Sequence, residues 1–117
     1  MFLNINKDNA YIFDIVHAGE LAISYIGKYK EIESFNQDTQ CQDAVIRRLE
    51  IIGEAAKRLS EDVKAKRPTI PWSEMVGMRN IVTHNYDGVD LTIIWDTVKN
   101  DLPIMIQLIK TTFNHLF

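Results

Sequence analysis

From Val45 to Val63 the apolar residues Val45, Leu49, Ile52, Ala56, Leu59 and Val63 recur at intervals of four, three, four, three and four. That spacing draws one apolar seam down an α-helix and is incompatible with a strand, whose faces alternate every second residue. Ile46, Ile51 and Ala55 widen the apolar surface beyond a two-helix seam, so this helix is expected to sit centrally or to pack on more than one neighbour. Asp38 or Thr39 is placed to cap its start, and Pro68 lies beyond its end.

The same periodicity runs through the rest of the chain, and no segment reads as a strand. A first helix is expected from about Asn9 to Tyr29, with Ile12, Ile15, Val16, Gly19, Ala22, Ile23 and Ile26 as its stripe. Ser34 to Asp38 reads as a loop. A third helix should begin near Trp72, with Ser73 as N-cap or Trp72 in its first turn, and use Met75, Val76, Ile81 and Val82 for packing. It is expected to end around His84, before a turn at Asp87-Gly88. Asp90 should cap a fourth helix carrying Leu91, Ile94, Trp95 and Val98. Pro103 is tolerated only in a first turn, so Asn100 or Asp101 is expected to cap a fifth. The seam of that helix is Leu102, Met105, Ile106, Ile109, Phe113 and Leu116. Short connections favour antiparallel neighbours. The expected fold is therefore all-α, an antiparallel bundle of four to five helices with one of them broken.

At 117 residues the chain is expected to form a single domain over residues 1–117, large enough to bury a core without a disulfide or metal staple. One cysteine, Cys41, rules out an internal disulfide. The polar stretch Met1 to Asp8 lacks the layout of a secretory signal, and no apolar run approaches the roughly 20 residues of a membrane span. The expected location is the cytoplasm, with no membrane partner. A net charge of −3 argues against a protein that coats nucleic acid by bulk attraction. Any nucleic-acid role must rest on placed residues.

The densest set of such residues is Arg79-Asn80-Ile81-Val82-Thr83-His84-Asn85-Tyr86. An arginine can grip a phosphate bidentately and keeps its proton. A histidine can accept or donate a proton near neutral pH. On a straight helix Arg79 and His84 are about 140° apart, so they converge only if the helix ends between them or a second subunit contributes. The bland alternative is an Arg79 surface ion pair and a His84 that complements the helix dipole. Gly77, inside the same helix, invites a close approach by a packing helix, a dimer mate or a ligand, with packing the first expectation. Arg47, Arg48, Lys57 and Arg58 favour a solvated, salt-bridged face with Glu54 pairing Arg58, ahead of an RNA-backbone face. His17 and His115 are isolated, and no Cys/His cluster, acid pair or phosphate-binding glycine loop suggests a metal or cofactor.

Two blocks carry a family resemblance. One is Gln42-Asp43-Ala44-Val45-Ile46-Arg47-Arg48-Leu49-Glu50-Ile51-Ile52-Gly53-Glu54-Ala55-Ala56-Lys57-Arg58-Leu59-Ser60. The other is Ile70-Pro71-Trp72-Ser73-Glu74-Met75-Val76-Gly77-Met78-Arg79-Asn80, followed by His84, Tyr86, Gly88-Val89-Asp90 and Trp95-Asp96-Thr97-Val98. Through them the chain resembles the HepT-like proteins of the HEPN superfamily over roughly residues 8 to 110. The resemblance implies a small helical bundle that dimerises and acts as the toxin of a toxin–antitoxin pair, a metal-independent ribonuclease that needs no cofactor. The family signature, an arginine, four residues, a histidine, one residue and a tyrosine, falls on Arg79, His84 and Tyr86. By the same resemblance Asn80 supports the site. The partner would be a minimal nucleotidyltransferase antitoxin, MNT, that transfers AMP to Tyr86. Where the family often has an acid between histidine and tyrosine, this chain has Asn85, one charge fewer beside the site. The competing reading is a non-catalytic helical module that binds a nucleotide or a nucleotidyltransferase.

Overall fold

The computed structural model describes the backbone of residues 2–83 and 90–117, and the side chains of residues 7–81 and 90–117. Within these residues the chain is helical, with no strand, as its periodicity requires. The helices are α1 (Phe2–Gly27), α2 (Ile32–Asn36), α3 (Thr39–Arg58), α4 (Glu61–Lys66), α5 (Trp72–Thr83), α6 (Leu91–Asp96) and α7 (Leu102–Thr112).

The helix read first from the sequence, α3, is central. The Asp38 side chain caps it by accepting from the Cys41 amide at 3.0 Å, and Lys57 and Arg58 sit in its last turn, where cations favour the dipole. Val45, Leu49, Ile52, Ala55 and Ala56 are all buried. Helix α1 runs antiparallel to α3. Cys41 Sγ, at the start of α3, donates to the Tyr25 carbonyl near the end of α1. Ser60, just past the end of α3, donates its amide and its hydroxyl to the Asp8 carboxylate at 3.0 and 2.9 Å. Helix α7 lies antiparallel on α1, with Lys110 paired to Glu20 at 3.1 Å and the Phe117 ring 5.2 Å from Phe13. Helix α5 packs on α3. The core seams of α1 and α7 fall as their spacing predicts.

Three expectations need correction, and one open alternative is resolved. The apolar seam does not continue on one helix to Val63: the backbone turns extended at Leu59 and Ser60, and the Ser60 hydroxyl caps a separate α4 by accepting from the Val63 amide at 3.2 Å. The stretch 34–38 is not all loop, because α2 forms around a fully buried Phe35 whose ring packs at a tilt beside Tyr29 and Trp95. Of the two starts expected for α5, the structure has the second, with Trp72 in its first turn and not Ser73 as its cap; the Trp72 indole donates to the Arg67 carbonyl and fixes the entry. Neither Asn100 nor Asp101 caps a new helix. Residues Thr97–Asp101 form a π-helical turn that carries the chain from α6 straight into α7. Pro103 lacks an N–H and its ring would collide with the carbonyl four residues back, and the widened turn accommodates both defects without a break. Asp90 does cap α6, accepting from the Thr92 and Ile93 amides at 3.0 and 3.3 Å.

Candidate functional site

Arg79 and Asn80 are exposed on α5, directly after the buried Met78. Met75 and Met78 turn inward and anchor the helix, so Arg79 emerges at the edge of the α3–α5 contact. The helical backbone runs through Thr83, so α5 does not end between Arg79 and Thr83. One of the two routes by which Arg79 and His84 could meet is thereby restricted to the last peptide before His84. His84 and Tyr86 lie outside the described residues, as do Asn85 and the turn expected at Asp87-Gly88.

The packing helix expected first at Gly77 is not found there among the described residues. A Cβ added to Gly77 would meet nothing within 4 Å, so among the described residues no helix packs there. The close approach is at Gly53 on α3. A Cβ there would stand 2.8 Å from Arg79 Cβ and 2.9 Å from its backbone nitrogen. A mid-helix glycine costs about 1 kcal/mol against alanine, and at Gly53 that cost is offset by the contact it allows. The signal was in the sequence: Gly53 lies on the α3 seam, flanked on the helix surface by Leu49 and Ala56. On the solvent side of the same seam, Glu50 and Lys57 fall within about 60° of Gly53, so an acid and a cation border the seat of Arg79.

The cations of α3 form the solvated face expected of them, but without the expected ion pair. Among the described residues the ion pairs are Lys28–Asp38, Lys64–Glu61, Lys66–Asp62 and Lys110–Glu20. Glu54–Arg58 is not one of them. Arg47, Lys57 and Arg58 are exposed, and an exposed pair gains too little to hold two long side chains together. Arg48 is half-buried, and its Nε is enclosed without a hydrogen-bond partner among the described residues. His17, on α1, and His115, past the end of α7, are exposed. No three His, Cys, Asp or Glu side chains gather as a metal site among the described residues. There too, no helix is long and apolar enough to cross a membrane.

A second polar cluster joins the ends of α1 and α3. The Tyr29 hydroxyl donates to Asp38, the carboxylate that caps α3, and Lys28 stands 3.7 Å from it. The bond from Tyr29 and the Cys41 amide hold the Asp38 carboxyl below its ordinary range. Burial, then the bond to Asp38, pushes the Tyr29 phenol well above its own. This cluster fixes the α1–α2–α3 corner.

Comparison with known proteins follows the same blocks. The family model described as ribonuclease HepT-like matches residues 15–112. The probable ribonuclease HepT of Thermococcus cleftensis is 47% identical over 95 residues, covering 80% of this chain and 84% of its own length. A candidate RNase of Methanocaldococcus jannaschii is 40% identical over 94 residues, 80% of this chain and 85% of its own. A candidate RNase of Caldanaerobacter subterraneus subsp. tengcongensis is 36% identical over 100 residues, 86% and 88% respectively. No solved structure matches.

Proposed function

Since the chain belongs to the HepT-like ribonuclease family, we propose that it is a metal-independent endoribonuclease whose site is built on Arg79 and His84. The observation that carries this reading is the family match over residues 15–112, which spans both side chains. The exposed Arg79 on a core-anchored helix fits a phosphate-binding role. In the proposed reaction a ribose 2′-hydroxyl attacks the adjacent phosphorus. His84 takes its proton, the bond from phosphorus to the 5′-oxygen breaks, and a second acid protonates that oxygen. Arg79 holds the phosphate and offsets the charge that builds on its oxygens in the transition state.

One imidazole cannot be base and acid in the same step. A homodimer that brings two Arg79–His84 motifs together supplies both, with Asn80 orienting the scissile group. The same arrangement answers the offset of about 140° between Arg79 and His84 along one helix. In this reading residues 1–117 form one domain that works in the cytoplasm as the toxin of a toxin–antitoxin pair. Its partner is an MNT-type nucleotidyltransferase. The Tyr86 phenol oxygen attacks the α-phosphorus of ATP, pyrophosphate leaves, and the AMP now on Tyr86 places charge and bulk where substrate phosphate must bind.

The test is cleavage of an RNA oligonucleotide by the purified protein in EDTA. Arg79→Ala and His84→Ala should each slow cleavage by about 100-fold or more, the scale for loss of a group that stabilises transition-state charge. Undiminished cleavage by either variant sinks the assignment.

A further inference from the structure

Gly53 is buried where α3 meets α5. A side chain there would collide with Arg79 Cβ and Arg79 N, and would stand 3.2 Å from the Val76 carbonyl oxygen. None of these atoms can swing aside: two belong to the α5 backbone and the third is fixed to it. Real Cβ contacts essentially never fall below 3.0 Å, so any larger residue at Gly53 must push α5 off α3 at Arg79 itself. We propose that Gly53 is a positioning residue for Arg79. Its missing side chain makes the surface of α3 the backstop that sets how far the guanidinium reaches towards the scissile phosphate. The proposal rests on the ribonuclease reading above.

Gly19 supplies the contrast. It is also buried in a helix crossing, and a Cβ there would collide with Ile106 Cδ1, stand 2.7 Å from Ile106 Cγ1 and lie 3.7 Å from Leu102 Cδ1. Those atoms belong to side chains of α7 and not to any backbone, so the strain falls on the α1–α7 packing, and neither residue bears on Arg79. Gly19→Ala therefore disturbs packing without moving the site.

The experiment compares Gly53→Ala, Gly19→Ala, Arg79→Lys and the double variant Gly53→Ala/Arg79→Lys in steady-state cleavage of an RNA oligonucleotide with EDTA present. All are assayed below their melting temperatures in trimethylamine N-oxide, which favours the compact state. A shift on the order of 1 Å at a catalytic group can cost about 100-fold. Gly53→Ala is thus expected to lower kcat by about tenfold or more, with KM changed less than about threefold. Gly19→Ala should keep kcat within about twofold of wild type while its melting temperature falls. In the Arg79→Lys background Gly53→Ala should cost less than about twofold, because the group it positions is already gone. Wild-type kcat in Gly53→Ala overturns the proposal, as does the same loss in both backgrounds. So does a Gly53→Ala chain that stays unfolded in the osmolyte while Gly19→Ala folds, for then Gly53 serves packing alone. Wild-type cleavage by Arg79→Lys and Arg79→Ala would instead refute the ribonuclease site itself.

Discussion

Phe35 should carry far more of this protein's stability than a residue in a five-residue helix would suggest. Its side chain is 0% exposed, with ring centroids 6.1 Å from Tyr29 and 5.7 Å from Trp95, so it ties the end of α1 to α6. Phe35→Ala removes a fully buried ring and leaves a cavity that its two aromatic neighbours, Tyr29 and Trp95, cannot easily fill. Such truncations cost about 3–5 kcal/mol. Phe35→Leu keeps most of the volume and loses chiefly the ring–ring geometry, worth about 0.5–1.5 kcal/mol for each aromatic pair. Globular proteins gain about 2.1 cal/mol/K of unfolding entropy per residue, so for 117 residues each kcal/mol moves the melting temperature by about 4 °C. Phe35→Ala should therefore melt roughly 12–20 °C lower, a loss comparable to a third of a typical domain's total stability. Calorimetry and urea unfolding monitored by circular dichroism measure both variants. Because Phe35 lies at the α1–α2 corner, folded Phe35→Leu should cleave RNA as wild type does. A loss under about 1 kcal/mol for Phe35→Ala would refute the packing argument, because it would mean that α2 does not hold Phe35 in the core.

Two further outcomes follow from the polar corner and from the motif tyrosine. The Asp38 carboxyl is held below its ordinary pKa of 3.8, so its contribution is present above that value and is lost as pH falls through the lower, folded-state value. Asp38→Asn should lower the urea midpoint at neutral pH, and the gap from wild type should close as pH drops below 3.8; a gap that widens on acidification would contradict this sign. Coexpression with a cognate nucleotidyltransferase should add about 329 Da per AMP to the intact mass, and Tyr86→Phe protein should gain none.

The helices were legible in the sequence because burial and periodicity are the same fact seen twice. Val45, Leu49, Ile52 and Ala56 recur where one face of α3 meets its neighbours. What was not legible are events that leave the period intact. The elbow at Leu59 and Ser60 keeps an apolar residue in each expected place while the backbone turns away. The π turn before Pro103 shifts the register without breaking the chain of helical residues. Helix α2 is shorter than the window in which a period can be seen, and tertiary contacts hold it, chiefly the burial of Phe35, with Ile32 packed on the core and Gln42 donating to the Phe35 carbonyl. In the candidate site, Arg79 is legible from its motif, whereas Gly53, the glycine of α3 on which it sits, is not singled out by the sequence pattern, which draws attention to Gly77 on α5 instead. Gly77 and Gly53 look alike in isolation, and only the seam position of Gly53 separates them. His84 and Tyr86, the other two signature residues, rest on the family pattern, since they lie outside the described residues.

The reaction itself is tested most directly with a single oxygen atom. An RNA oligonucleotide is cut by the purified protein in EDTA, the cleavage position is mapped, and the same oligonucleotide is made with one 2′-deoxynucleotide on the 5′ side of that bond. Attack by the 2′-hydroxyl requires that the parent yield a 2′,3′-cyclic phosphate and a free 5′-hydroxyl, and that the substituted bond stay intact. Cleavage of the deoxy-substituted bond, or products that carry a 5′-phosphate, would contradict the mechanism assigned to Arg79 and His84.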